Sequence, residues 1–286
     1  MMFRDNGITT ALLGIFFGLV FLLPVHHYSK SVAQRRLLEQ IPAEVQAAMA
    51  ANQAAPAVTP AAAPPAQAAA PANEAASATQ ASQTVAVVAA VPAVAPPVAG
   101  DAAKGKALYG TCAGCHGRDG EGGRMFNSPR LSGQKDWYLK RQLVKFKDGV
   151  RGSHPQDVFG MQMAPMAKLL ADEAAVDNVV AYMVTLQPAK GTDKGSGVAD
   201  KGEPVYALCL PCHGDQAQGN FQQKAPTLNN QHAWYLAKQL ANFKTGVRGE
   251  HPDDDEGKLM NAIAKTLEDE KSIDNIIAYI QSFSGE

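Results

Sequence analysis

The sequence predicts an all-α protein made of two tandem copies of one small domain, preceded by an N-terminal transmembrane helix and a disordered linker rich in alanine and proline. Three observations carry that expectation: an uncharged run of 18 residues near the N-terminus, a biased stretch over residues 51–100, and an internal repeat with a period of 97 residues. At roughly 150 residues per domain, 286 residues leave room for two small cores. Apolar residues make up 46% of the chain and charged residues 19%, which excludes disorder throughout. Many of the apolar positions are alanines in the biased stretch, so the real cores are smaller than the percentage implies. Lys and Arg number 26 against 27 Asp and Glu, a net charge of -1 that argues against a nucleic-acid partner.

The uncharged run, ITTALLGIFFGLVFLLPV at residues 8–25, would reach about 27 Å as a helix and can just span a bilayer. It is read as an uncleaved anchor within residues 1–30. The alternative is a signal peptide, whose apolar part is usually about 7–15 residues long; the best small-x-small site, Ser31-Val32-Ala33, falls well after the run. Lys30, Arg35 and Arg36 follow the segment, while Arg4 precedes it and is offset by Asp5, a count that taken alone leaves the bulk of the chain in the cytoplasm. Within residues 31–100, Leu37, Ile41, Val45 and Met49 recur every four residues, the pattern of a short amphipathic helix or of a solvated stalk. From Ala51 to Gly100 the only charge is Glu74, and the composition lacks the large side chains needed to offset ordering entropy. That stretch is a tether.

Shifting the chain by 97 residues superposes Cys112, Cys115 and His116 on Cys209, Cys212 and His213, and carries Pro129, Leu131, Trp137, Met163 and Tyr182 onto Pro226, Leu228, Trp234, Met260 and Tyr279. Residues 137–152 match 234–249 at 11 of 16 positions. The domains are therefore placed at 101–190 and 191–286, with a Gly-rich joint near Lys190–Gly197. In each copy Leu139, Leu143 and Phe146, or Leu236, Leu240 and Phe243, mark one helical face that stops at Gly149 or Gly246. Val176, Val179, Val180 and Met183, and Ile273, Ile276, Ile277 and Ile280, mark a second helix. A third is expected around Lys104–Gly110 and Lys201–Leu208, before each cysteine pair. Copies this small have thin cores, so something large and apolar is expected at each centre.

Cys112-Ala113-Gly114-Cys115-His116 and Cys209-Leu210-Pro211-Cys212-His213 carry the C-x-x-C-H attachment signature of a c-type haem. Two thiols three residues apart on a helical turn point the same way and can form thioethers with the vinyl groups of one porphyrin. The adjacent histidine is then carried beneath the ring to the iron. A thioredoxin-like C-x-x-C wants a βαβ context that is missing, and a zinc ribbon wants closer pairs than Cys115 and Cys209. The second axial ligand decides between carrier and catalyst. Among Met161, Met163 and Met166, only Met163 falls on a methionine in the other copy, Met260, and each lies 47 residues after its histidine. Met163 and Met260 are thus the expected ligands, and Met161, Met166 and Met183 read as core fillers. His154 and His251, each in a His-Pro dipeptide, read as ordering a surface loop, with ligation as the alternative.

From Gly100 to Glu286 the chain resembles the class I c-type cytochromes with two haem domains, of the cytochrome c4 kind. The resemblance rests on the doubled C-x-x-C-H-G, the P-x-L that follows, the W-Y-L-x-x-Q-L-x-x-F-x-x-G-x-R-G block and M-x-x-x-A before the last helix. It implies two covalently bound haem c groups, with His116 and Met163, and His213 and Met260, as axial pairs. It also implies that the axial histidine's second ring proton goes to the loop-proline carbonyl, here of Pro129 or Pro226. By the same likeness Trp137, Trp234, Arg151 and Arg248 are candidates for the haem propionates, plain core packing being the alternative for the tryptophans. The implied partners are a quinol-oxidising cytochrome bc complex and a haem-copper terminal oxidase. The anchor and the tether depart from the family. Because haem attachment in such proteins occurs outside the cytoplasmic membrane, the haem domains are expected on the periplasmic side of that membrane, single-pass, against the charge count at the anchor.

With both axial positions filled, electron transfer is expected and enzymatic activity is not. A dihaem peroxidase and a fixed electron-transfer subunit of a membrane dehydrogenase or oxidase are the alternatives. Residues 101–190 carry a balance of +4 and residues 191–286 of -5, which suggests partners of opposite sign, or merely a solvated acidic loop at Asp253–Glu256.

Overall fold

The computed structural model describes residues 97–187 and 194–284, together with Ala43, Gln46, Ala47 and Ala50, which are helical and exposed. The expected anchor, the linker as far as residue 96, the apolar positions of the 37–49 helix and part of the joint lie outside the described residues. Among the described residues no helix is long and apolar enough to cross a membrane.

The first copy holds α1 (Ala102–His116), α2 (Asp136–Lys147), α3 (Val158–Lys168) and α4 (Glu173–Met183). The second holds α5 (Ala199–Tyr206), α6 (Leu210–His213), α7 (Ala233–Lys244), α8 (Asp255–Lys265) and α9 (Glu270–Ser282). Among the described residues there is no strand, only two isolated bridges one repeat apart, Gly123 with Ser128 and Asn220 with Ala225. The helix expected before the first cysteine pair runs on through it. Asp101 starts α1 by accepting from the amides of Ala103 and Lys104, and Gly117, at φ 83°, stops it. The same stretch of the second copy is split into α5 and α6. Pro211 stands where the first copy has Gly114; it has no N–H for the carbonyl of Ala207, and its ring crowds that carbonyl.

The helical faces read from the sequence are the buried ones. Leu139, Leu143 and Phe146, Val176 to Met183 at helical spacing, and the four isoleucines of α9 all belong to the cores. Helices α3 and α8, which carry Met163 and Met260, have no counterpart in the sequence-based expectation. Asp157 and Asp254 cap them on the amides of Gly160 and Gly257, each at 3.1 Å, and Lys147 and Lys244 each donate from Nζ to a carbonyl just past their ends, Leu170 and Leu267. Helix α1 crosses α4, and α5 crosses α9, at glycines. A Cβ on Gly105 would lie 1.8 Å from the Asn178 carbonyl oxygen, and one on Gly202 2.0 Å from that of Asn275.

The copies dock through pairs that exchange roles with the repeat. Gln134 bonds Thr227 while Gln231 bonds Arg130, and Arg151 reaches Gln239 while Arg248 reaches Gln142. Lys145 pairs with Asp254 and with Glu256 at 2.8 Å, and Arg141 with Glu256 at 2.8 Å. The solvated-loop expectation holds for Asp253 and Asp255, which are exposed, and not for Asp254 and Glu256. Asp254 is 3% exposed, and with Glu256 it neutralises cations of the first domain instead of facing a partner or the solvent.

Candidate functional site

In the first copy C-x-x-C-H ends α1, and in the second it spans the start and end of the short helix α6. Cys112 and Cys209 are half-buried, Cys115 is exposed and Cys212 is buried, and none is in a disulfide. Burial pushes the thiols of Cys112 and Cys212 up, and that of Cys209 up to about 12. Such thiols stay protonated, unlike the thiolates of a redox C-x-x-C. Among the described residues no group of three or more His, Cys, Asp or Glu converges as a metal site, so the zinc arrangement finds no support.

The imidazoles of His116 and His213 are 7% and 5% exposed. Nδ1 of His116 lies 3.0 Å from the Pro129 carbonyl oxygen, and Nδ1 of His213 lies 3.0 Å from that of Pro226. A carbonyl can only accept, so Nδ1 carries the proton and Nε2 presents a lone pair. Burial pushes both pKa values down, against the carbonyl bond, and keeps the rings neutral. The loops holding these prolines are pinned in the same way: Tyr109 donates to the Gly117 carbonyl at 2.8 Å, and Tyr206 to that of Gly214 at 2.7 Å.

One continuous cavity runs through both copies. It is lined by both cysteine pairs, both histidines, Met163 and Met260. Much of its apolar wall repeats, with Leu139, Phe146 and Val179 of one copy answered by Leu236, Phe243 and Ile276 of the other. Met183 is a core residue as expected, whereas Met161 and Met166 are 41% and 39% exposed rather than core fillers. His154 and His251 order their loops, each accepting at Nδ1 from the amide two residues on, at 3.2 Å.

Arg151 and Arg248 both line the cavity. Arg151 donates to Gln142 at 2.7 Å, to the Tyr235 hydroxyl at 3.0 Å and to Gln239 at 3.2 Å; Arg248 donates to Gln239 at 2.7 Å and to Gln142 at 3.1 Å. Each guanidinium lies 4.5 Å from the ring centroid of Phe146 or Phe243. The buried Nε of each has no acceptor, a lack that an anionic group in the cavity, such as a haem propionate, would supply. Burial would raise the Tyr138 hydroxyl, yet the Arg248 and Arg151 guanidiniums hold it below the ordinary tyrosine range. Tyr138, Tyr235, Gln142 and Gln239 were given no role from sequence, although they stand in the repeated W-Y-L-x-x-Q block.

The two tryptophans part company. Trp234 lines the cavity and stacks on His232, ring centroids 5.7 Å apart. Trp137 is not part of the lining; it packs edge-on against Phe221 of the other domain at 5.6 Å. Trp137 thus packs at the domain boundary, where the alternative of plain packing places it.

Paired thiols, a neutral histidine with a free Nε2, an apolar wall and buried cations lacking an acceptor form a haem-binding cavity twice over. Residues 102–187 and 199–284 each match the cytochrome c family, and the chain belongs to it. It is 32% identical over 194 residues to cytochrome c4 of Azotobacter vinelandii, covering 64% of this chain and 89% of that one. It is 31% identical over 171 residues to the thiosulfate dehydrogenase electron acceptor of Stutzerimonas stutzeri, covering 56% and 73%. The crystal structure of reduced recombinant cytochrome c4 from Pseudomonas stutzeri superposes with a TM-score of 0.51 at 30% identity, over 64% of this chain and 98% of that one. The protein is a dihaem electron carrier of the cytochrome c4 kind and carries two covalently bound haem c groups.

Proposed function

We propose that the chain is a carrier within a respiratory chain, accepting single electrons from a quinol-oxidising cytochrome bc complex and passing them to a haem-copper terminal oxidase, without being an enzyme itself. One observation carries this reading: in both copies a histidine with a free Nε2 and a repeat-matched methionine line the same cavity. His116 with Met163, and His213 with Met260, are the axial pairs in this proposal. The haem supplies a one-electron ferric–ferrous couple. The chain's own residues would do the rest: Cys112 and Cys115, or Cys209 and Cys212, would hold the ring, the proline carbonyls orient the imidazoles, the apolar wall would exclude water, and Arg151 and Arg248 would pair with the propionates. With a histidine and a methionine holding the haem, no open site would be left for peroxide or oxygen.

The first domain is proposed to face the oxidase. Met125, Phe126 and Leu169 are 85%, 52% and 65% exposed there, whereas the matching residues of the second copy are Gln222, Gln223 and Thr266. The +4 balance of this domain suits an acidic oxidase subunit, although Arg141 and Lys145 are already engaged with the second domain. Residues 8–25 would anchor the chain in the cytoplasmic membrane with the haem domains on the periplasmic side.

A second reading, a dedicated electron acceptor for a dehydrogenase, draws support from the likeness to a thiosulfate dehydrogenase electron acceptor. Potentiometric titration of the optical spectrum should count two haems and show the ferric sulfur-to-iron band. Stopped-flow reduction by a bc complex and by a thiosulfate dehydrogenase then separates the two readings, since the true donor reduces the chain faster. Sustained peroxide turnover would overturn both.

A further inference from the structure

Each axial histidine rests on a peptide group that the opposite domain grips. The peptide joining Pro129 to Arg130 accepts the His116 proton at its oxygen, at 3.0 Å, and its N–H donates to Oε1 of Gln231 at 2.9 Å. Nε2 of Gln231 in turn donates to the Arg130 carbonyl at 3.0 Å. The side-chain amide therefore pairs with both main-chain groups of Arg130, as a neighbouring strand would. One repeat away the arrangement recurs in reverse. The peptide joining Pro226 to Thr227 accepts the His213 proton at 3.0 Å, its N–H donates to Oε1 of Gln134 at 3.1 Å, and Nε2 of Gln134 donates to the Thr227 carbonyl at 2.9 Å.

Hydrogen bonds in series polarise one another, by about 10–30% per bond. An acceptor at the peptide N–H makes the carbonyl oxygen at the other end more negative. A more negative oxygen pulls harder on the imidazole proton, and the imidazole becomes a more basic ligand, which favours the ferric state. Burial keeps water from replacing the clamp at Arg130, which is 3% exposed, and at Gln231, which is 8% exposed.

We infer that Gln231 is a positioning residue for the axial histidine of the first domain and Gln134 for that of the second, so that each haem's reduction potential depends on the docking of the other domain. The inference rests on reading His116 and His213 as the axial ligands. Because the influence runs crosswise, a glutamine should affect the haem of the domain to which it does not belong.

The test uses the full haem-loaded chain. The wild-type spectrum comes first, and loss of the histidine–methionine signature there would sink the ligand reading, not the clamp. In Gln231→Leu the first-domain haem should rise in potential, with its redox equilibrium shifted on the order of 1.5-fold, a tenth to a third of the worth of one hydrogen bond. In the reduced protein the Nδ1–H resonance of His116 should move while that of His213 stays. Gln134→Leu should give the mirror image, and it carries the test alone if the first variant fails to accumulate. Gln231→Glu puts a charged acceptor on the Arg130 N–H, so it should move the His116 resonance in the sense opposite to the leucine variant. Equal movement of both histidine resonances in a leucine variant, or of neither, would show that the glutamines merely join the domains, and the inference falls.

Discussion

At the level of single residues, the cavity lining separates Met163 from Met161. Met163 and Met161 share α3, but Met163 lines the cavity and Met161 is 41% exposed outside that lining. Met163→Ala should remove about half of the ferric sulfur-to-iron absorbance and lower one of the two potentials, since a thioether ligand raises it. Met161→Ala should leave both unchanged. The repeat picked out Met163 and Met260 without any coordinates, because only those two positions correspond. The glutamine clamps and the two arginines with unpaired Nε were not legible in that way. Gln134, Gln231, Arg151 and Arg248 obey the repeat too, but some of their partners lie in the other copy, and no spacing within one copy reports a contact across an interface.

Among the helices, α1 against α4 is the tightest crossing. Gly105→Ala would drive a Cβ into the Asn178 carbonyl, and overpacking of this kind costs on the order of 1–3 kcal/mol. A thermal melt of the haem-loaded protein should show the loss, and Gly110→Ala, where an added Cβ meets nothing, should not. Helices α3 and α8 escaped the sequence reading because their apolar residues face the cavity only in part. Met161, Met166 and Leu169 stay exposed, so the burial pattern that betrays α2 and α4 is weak here. Capping by Asp157 and Asp254 starts these helices, and that signal was present in the sequence.

For the molecule as a whole, docking of the domains is electrostatic at its rim. Burial opposes ionisation of Glu256, but its bond to Lys145 and the charge of Arg141 overcome this and hold its pKa at about 2, below the ordinary 4.5. A carboxyl with a depressed folded pKa stabilises docking fully above about pH 4.5, and that contribution is lost as pH falls toward 2. Acid titration followed by the distance between labels on the two domains should show opening in that window. Glu256→Gln should flatten the response. The surplus of one sign in each copy was visible in the composition, but its use was not. Counting charges cannot tell a pair that neutralises itself within the chain from one offered to a partner.

The linear order of residues was enough to establish two copies of a small helical domain and two covalent haems, and to single out the repeated histidines and methionines as candidate ligands. Those properties follow from spacing along one chain segment and from its exact repetition. Tertiary structure alone decided that the copies dock in a reciprocal fashion around one cavity, that Trp137 packs against Phe221 while Trp234 lines the haem space, and that Asp254 and Glu256 neutralise the first domain. Each of these joins residues about a hundred positions apart, and such contacts exist only once two separately folded cores have been brought face to face.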